Sequence, residues 1–356
     1  MKSLYSMFLS QAYQDCWDDY NRSVKLKNFP RWDYVILTAS NDQQAEGFRR
    51  QIEERKEYLP AGTRFAAIPD RGGERVGSGG ATLEVLKYLH EQEGDFRKLR
   101  VLVIHSGGDS KRVPQYSALG KLFSPVPHQL PDGRSSTLFD EFMICMSSMP
   151  SRIREGMVLL SGDVLLLFNP LQIDYNNVGA AAISFKERVK VGKNHGVYVN
   201  GEDGNVKCCL QKKPEEELRE AGAVNEAGCV DIDTGALIFS TAMMDSLYSL
   251  IGTEEGYDRY VNGTVRLSLY ADFLYPLAED STLEQFYLEK PEGEFCEELT
   301  GAREQVWKVL RPYRMKLLRL APAKFIHFGT TKEILALMCG GVDAYASLGW
   351  SRRVAS

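Results

Sequence analysis

Four short apolar runs, at 33–40, 64–68, 101–105 and 156–164, alternate with stretches of helical periodicity, and this alternation constrains the fold more than any other feature. "DYVILTAS" leads into "NDQQAEGFRRQIEERKEYL", where Asn41 reads as an N-cap and Ala45, Phe48, Ile52 and Leu59 share one helical face. "RFAAI" follows, and strand, helix, strand in that order predicts a parallel βαβ unit. "RVGSGGATLEVLKYLHEQ" (75–92) reads as a glycine loop running into a helix, "VLVIH" (101–105) as a third strand and "TLFDEFMICMSSM" (137–149) as a helix. "GMVLLSGDV" and "GAAAISF" (179–185) supply a fourth and fifth strand. Strands that are apolar throughout are buried on both faces, so the expected fold is α/β with a doubly wound sheet.

From about residue 190 the strands become shorter and more alternating, as in "HGVYVN" and "DIDTGALIFS", with polar links such as "QKKPEEELREAGAVNEAG". This stretch reads as a mixed region laid across the sheet as a substrate lid. "KFIHFGTTKEILALM" (324–338) returns to strand, tight turn and helix. Residues 1–30 read as a helical lead-in, 31–340 as the main domain, and 341–356 as a tail.

Composition excludes several function classes. With 44% hydrophobic and 26% charged residues the chain of 356 has the make-up of a soluble globular protein. A net charge of -5 argues against nucleic-acid or anionic-membrane partners. No apolar run approaches the roughly 18 residues of a membrane span, and the first residues lack the pattern of a signal peptide. The seven cysteines form no C-x-x-C pair, which points to reduced thiols and a cytoplasmic location.

Ligands of an open α/β sheet bind at the carboxyl ends of strands, and three loops fall there. Gly107-Gly108-Asp109-Ser110-Lys111-Arg112 follows the third strand. Adjacent glycines let backbone N–H groups turn toward an anion, Arg112 adds a bidentate phosphate donor and Lys121 a mobile charge. A tight turn with solvated cations is the alternative. Gly77, Gly79 and Gly80 precede a helix whose N-terminus favours anions, without a Walker Gly-Lys-Ser/Thr ending; an ordinary glycine connection is the alternative. Asp163, after "MVLLSG", is either a Mg²⁺ ligand completed by phosphate oxygens or a turn former. His195 and His327 belong to no Ser-His-Asp, Cys-His or zinc pattern.

"SGGDSKRVPQYSALGK" resembles the signature of sugar-nucleotide pyrophosphorylases. "RVGSGGATLEVL", "VIHSGGDSKRVPQYSALGKLFSPVP", "LLSGDVLL", "NHGVYV", "LQKKP", "DTGALIFS", "LSLYADF" and "FIHFGTTKEIL" follow one another in the order of a single family. Over about residues 30–340 the chain resembles the fucose-1-phosphate guanylyltransferase portion of bifunctional L-fucokinase/GDP-L-fucose pyrophosphorylases. The resemblance implies a Rossmann-like, GT-A-like nucleotidyltransferase that joins L-fucose 1-phosphate and GTP with Mg²⁺. It also implies a β-helix and a sugar kinase region fused to or associated with this unit; the chain ends soon after "FGTTKEIL" and offers no second glycine loop for the kinase. The implied roles are nucleotide binding by Gly77, Gly79, Gly80, Gly107, Gly108, Ser110 and Lys111, and catalysis by Arg112, Lys121, Asp163 and Lys213. Sugar contacts fall to His195, Gly196, Asp233 and Gly235.

Two departures from the family pattern matter. "LQKKP" has one lysine more than the family's Leu-Gln-Lys-Pro, and alignment on Pro214 favours Lys213 as the sugar-phosphate lysine. Where the wider superfamily has W-x-D-x-G-T, this chain has Phe325-Ile326-His327-Phe328-Gly329-Thr330; correspondence of the segments implies His327 at the second metal position, with one-metal binding or a changed role as the alternatives. A catalytically idle partner of a fucokinase, and a pyrophosphorylase for another sugar 1-phosphate or NTP, stay open as alternatives.

Overall fold

The computed structural model describes residues 4–108, 112–116, 120–175 and 179–352. Its strands are β1 (Tyr34–Ala39), β2 (Arg64–Pro69), β3 (Arg100–His105), β4 (Pro125–Gln129), β5 (Ser135–Thr137), β6 (Gly156–Ser161), β7 (Val164–Phe168), β8 (Gly179–Arg188), β9 (Gly196–Asn200), β10 (Val206–Gln211), β11 (Cys229–Phe239), β12 (Arg314–Arg319) and β13 (Ala323–His327). Helices α1 (Leu4–Lys25), α2 (Asp42–Glu54), α3 (Gly77–Glu93) and α4 (Leu138–Cys145) pack in the cores that cover them.

The main sheet runs β10-β9-β11-β6-β3-β1-β2, with β8 on β11 and β12 on β8. β2, β1, β3 and β6 are mutually parallel. β11 is antiparallel to β6, and β8 is antiparallel to β11. The molecule is therefore mixed α/β around a mixed sheet. The region after 190 extends that sheet rather than lying across it. β11 inserts between β6 and β8, because its apolar end (Leu237–Phe239) pairs with Met157–Leu159 while its whole length pairs with β8.

Both faces of β1, β3 and β6 are buried, as their uninterrupted apolar runs require, while the edge strand β2 is only partly covered. Along β1, Val35, Leu37 and Ala39 join the core shared with α1, α2 and α4, and Tyr34 and Ile36 join the core shared with α3. Asn41 caps α2, its side-chain oxygen accepting from Gln44 N–H at 2.9 Å. The helix stops at Glu54, so Leu59 lies beyond it. Thr137 and Asp140 form a reciprocal capping box at the start of α4. The stretch expected as a tail packs inward. Val342, Leu348 and Trp350 are buried, and Trp350 bridges to His128 of β4.

Candidate active site

Because β1, β3 and β6 run parallel, their carboxyl ends reach one edge, with Thr38 beside His105 and His105 beside Ser161. The Gly107-Gly108 turn leaves from β3 there and Gly162-Asp163 from β6. Gly108 has φ +123°, a backbone region closed to most side chains. These turns line a cleft of about 310 Å³ with Arg75, Arg112, Lys121 and Asp163. Ser110 and Lys111 lie outside the described residues.

Lys121 and Asp163 form the charged centre of the cleft. Lys121 Nζ donates to Asp163 Oδ2 and to the Gly329 carbonyl, each at 3.0 Å. Ser161 Oγ donates to Asp163 Oδ1 at 2.7 Å. Burial works to raise the Asp163 carboxyl, but the Lys121 ammonium and these hydrogen bonds hold it below the usual carboxylate range. The segment after β13 closes this side. Phe328 N–H donates to the Asp163 carbonyl at 2.7 Å, and Thr331 N–H to the Arg112 carbonyl at 2.9 Å. His327 Nε2 is 4.0 Å from Asp163 Oδ2, and its Nδ1 is 2.8 Å from Glu333 Oε1.

Arg112, Ser161 and Asp163 also border a second cavity of about 730 Å³. His195, Gly196, Asp233 and Gly235 all border it. Asp233 Oδ1 accepts from Tyr198 O–H and from Gly235 N–H, both at 2.9 Å. Burial raises its carboxyl above the ordinary value. A Cβ on Gly196 would stand 2.9 Å from the Asp233 Cβ, so glycine there leaves the carboxyl its room. Burial lowers the His195 imidazole, reinforced by His327, whose ring centroid is 6.5 Å away.

Two stretches are placed differently from the expectation. Lys213 is half-exposed and pairs with Glu217 at 3.1 Å on the following helical turns, away from the cavity. The lysine that borders the cavity is Lys212, itself exposed, at φ +49° with its N–H on the His195 carbonyl. The Gly77–Gly80 stretch is the first turn of α3 rather than a loop. Gly79 and Gly80 direct their N–H groups to the Leu267 carbonyl, at 2.7 and 3.3 Å, so these donors are not free for a nucleotide. A Cβ on Gly77 would lie 2.3 Å from that same carbonyl oxygen. These glycines allow two segments to pack closely. Of the three, Gly77 reaches a cavity, one of about 180 Å³ that adjoins the phosphate cleft.

A family model described as the fucose pyrophosphorylase domain matches residues 94–356, well over half of the chain. The chain belongs to the fucose pyrophosphorylase domain family. It is 28% identical over 338 residues to a mouse fucose-1-phosphate guanylyltransferase, covering 85% of this chain and 56% of the relative. The human protein of that name is 27% identical, with 89% of this chain and 57% of the relative covered. An Arabidopsis thaliana bifunctional fucokinase/GDP-fucose pyrophosphorylase is 26% identical over 90% of this chain and 33% of its own length. The chain thus spans about half the length of the mouse and human relatives and a third of the plant one.

The match to the fucose pyrophosphorylase domain begins after α3. Arg75, which borders both the phosphate cleft and the smaller cavity, precedes it. Sequence reasoning missed Arg75, Lys212, Lys290, Tyr270 and Glu292, all of which face these spaces. Arg75 carried a usable signal, a cation two residues before a glycine at a helix start. Lys290 and Glu292 carried none, because their approach depends on a chain segment about 200 residues distant.

Proposed function

We propose that this chain transfers a guanylyl group from GTP to L-fucose 1-phosphate, releasing pyrophosphate and forming GDP-L-fucose. The observation that carries this reading is the Lys121–Asp163 pair at the junction of two spaces. The glycine-turn cleft suits a triphosphate, and the larger cavity suits a sugar phosphate. The relatives' names supply the fucose and guanylyl parts, and the motif order agrees with them. The parallel β2-β1-β3-β6 block with its cleft at the carboxyl edge supports a Rossmann-like, GT-A-like nucleotidyltransferase.

The nucleophile, a sugar-phosphate oxygen, is an anion at neutral pH, so no general base is required. One oxygen–phosphorus bond forms at the α-phosphorus as the bond to pyrophosphate breaks. The barrier lies in bringing two anions together in line. Gly107 and Gly108 admit the triphosphate and Arg112 holds the leaving pyrophosphate. Lys121 offsets charge gathering at the α-phosphate. Lys212, in place of Lys213, receives the sugar phosphate. Asp233 accepts hydrogen bonds from sugar hydroxyls beside Gly196, Gly235 and His195.

Asp163 fits a Mg²⁺ site. Each of its oxygens carries one close side-chain donor and keeps further acceptor capacity, and the His327 Nε2 faces Oδ2 with its other nitrogen engaged by Glu333. Among the described residues no group of three or more His, Cys, Asp or Glu could hold a metal, so the protein offers one or two ligands. That number suits an ion carried in by phosphates. When bound, Mg²⁺ neutralises phosphate charge. A kinase region elsewhere in a longer protein is consistent with the bifunctional relatives. A cytoplasmic location fits seven cysteines without a disulfide; among the described residues no helix is long and apolar enough to cross a membrane.

The reading is tested by pyrophosphate release across a panel of sugar 1-phosphates and NTPs. The highest kcat/KM should belong to L-fucose 1-phosphate with GTP. A better pair containing another sugar or base would overturn the substrate assignment.

A further inference from the structure

The three cavities form one continuous groove. The large cavity meets the phosphate cleft at Arg112, Ser161 and Asp163, and the phosphate cleft meets the small cavity at Arg75, His105, Gly107 and Gly108. If the triphosphate occupies the middle, the nucleoside extends into the small cavity. The shared residues then surround the ribose end, and those bordering the small cavity alone lie nearest the base. Asp70, Ser78 and Glu292 are in that second group.

We infer that Glu292 is the residue that selects guanine, its Oε1 accepting both the N1–H and the N2–H donors of the base edge. The inference rests on the nucleotidyl-transfer reading above. Guanine presents two adjacent donors on that edge, and a carboxylate accepts from both; adenine presents an acceptor at N1 and is repelled.

The surroundings hold Glu292 in place for this. Its Oε2 accepts from both the Ser78 N–H and the Ser78 Oγ–H, each at 3.1 Å, at the first turn of α3. Oε1 has the looser Arg75 contact at 3.7 Å. The carboxylate is thus fixed by the protein through one oxygen while the other has acceptor capacity left. The segment that carries Glu292 is itself anchored. Buried Arg303 donates to the upstream carbonyls of Phe286, Tyr287 and Glu289, at 3.0, 3.2 and 2.8 Å. Asp70 brings a second carboxyl to the same cavity. Burial, then the carboxylates of Glu84 and Glu292, push it up to about 7.

The test is equilibrium binding of GTP, ITP, ATP and 2′-deoxy-GTP, without sugar phosphate, to the wild type, Glu292→Gln and Glu292→Asp. Inosine lacks the 2-amino group and adenine reverses N1. The wild type is expected to favour GTP over ITP by about tenfold and over ATP by more, the scale of a bidentate base contact. Glu292→Gln should bring the three within about threefold of one another. Glu292→Asp, which keeps the carboxylate but withdraws it by a methylene, should retain part of the preference and reports independently should the amide variant fold poorly. A wild type that binds all three alike, or a Glu292→Gln that keeps the preference, overturns the inference. So does a Glu292→Gln that weakens GTP and ITP equally while losing discrimination against 2′-deoxy-GTP, because that result places the carboxylate on the ribose. Intact base discrimination without any sugar transfer would strike the proposed reaction and leave this contact standing.

Discussion

Arg303 Nε lies 2.8 Å from Asp272 Oδ1, with both side chains almost wholly buried. The same guanidinium gathers three carbonyls between 286 and 289. One buried cation therefore ties the π-helical turn around Asp272 to the segment that supplies Glu289, Lys290 and Glu292 to the groove. Removing it strands a carboxylate in the core. Arg303→Met is expected to cost about 3–5 kcal/mol of stability. Urea denaturation checks this, with Asp272→Asn added in the double variant recovering part of the loss. A single variant as stable as the wild type would mean the pair is not an anchor.

Lys212 and Lys213 are expected to separate by function. Lys212→Ala should raise KM for the sugar 1-phosphate at least about tenfold, the loss of a charge-assisted contact. Lys213→Ala should change kcat/KM by no more than about twofold, since an exposed pair one helical turn apart contributes little. Steady-state kinetics decide between them, and the reverse ranking would restore the alignment on Pro214.

Asp70 gives a pH signature. Its carboxyl titrates near 7 in the fold and near 4 in an unfolded chain. Between those values the folded chain binds a proton that the unfolded chain has released. The group's contribution to stability therefore falls as pH rises through that window. Asp70→Asn removes the titration, so the variant should gain stability relative to the wild type on going from pH 5 to pH 8. Denaturant midpoints at the two pH values measure it; a difference that does not change with pH would contradict the burial of this carboxyl.

The parallel half of the fold was legible because continuous apolar runs such as "DYVILTAS" have only one economical use, a strand covered on both faces. The turns at Gly107-Gly108 and Gly162-Asp163 were legible because they end such strands. The insertion of β11 beside β6 was not, since alternation in "DIDTGALIFS" shows a strand without naming its neighbour. At Gly77–Gly80 a glycine needed for close packing against Leu267 looks in sequence like one that admits a ligand, although Gly77 also borders the small cavity. Lys212 and Lys213 differ by a backbone twist, the positive φ at Lys212, that no pattern of residue types records.

Chelation tests the Asp163 assignment. Excess EDTA should abolish turnover and added Mg²⁺ restore it. His327→Asp should keep activity and shift the preference between Mg²⁺ and Mn²⁺, because a carboxylate is the harder ligand. Turnover that persists in excess chelator would remove metal from the account, and an unchanged metal preference would place His327 outside the metal's reach.

The central claim is that the α-phosphoryl group of GTP moves and its outer two phosphates leave together. Incubating the chain with L-fucose 1-phosphate and GTP labelled at either the α- or the γ-phosphate measures this directly. The account predicts α-label in GDP-L-fucose, γ-label in pyrophosphate, and a fall of about 100-fold or more in Lys121→Met and Asp163→Asn, both still folded. Label from the γ-phosphate on the sugar, no transfer at all, or undiminished transfer in both folded variants would contradict it.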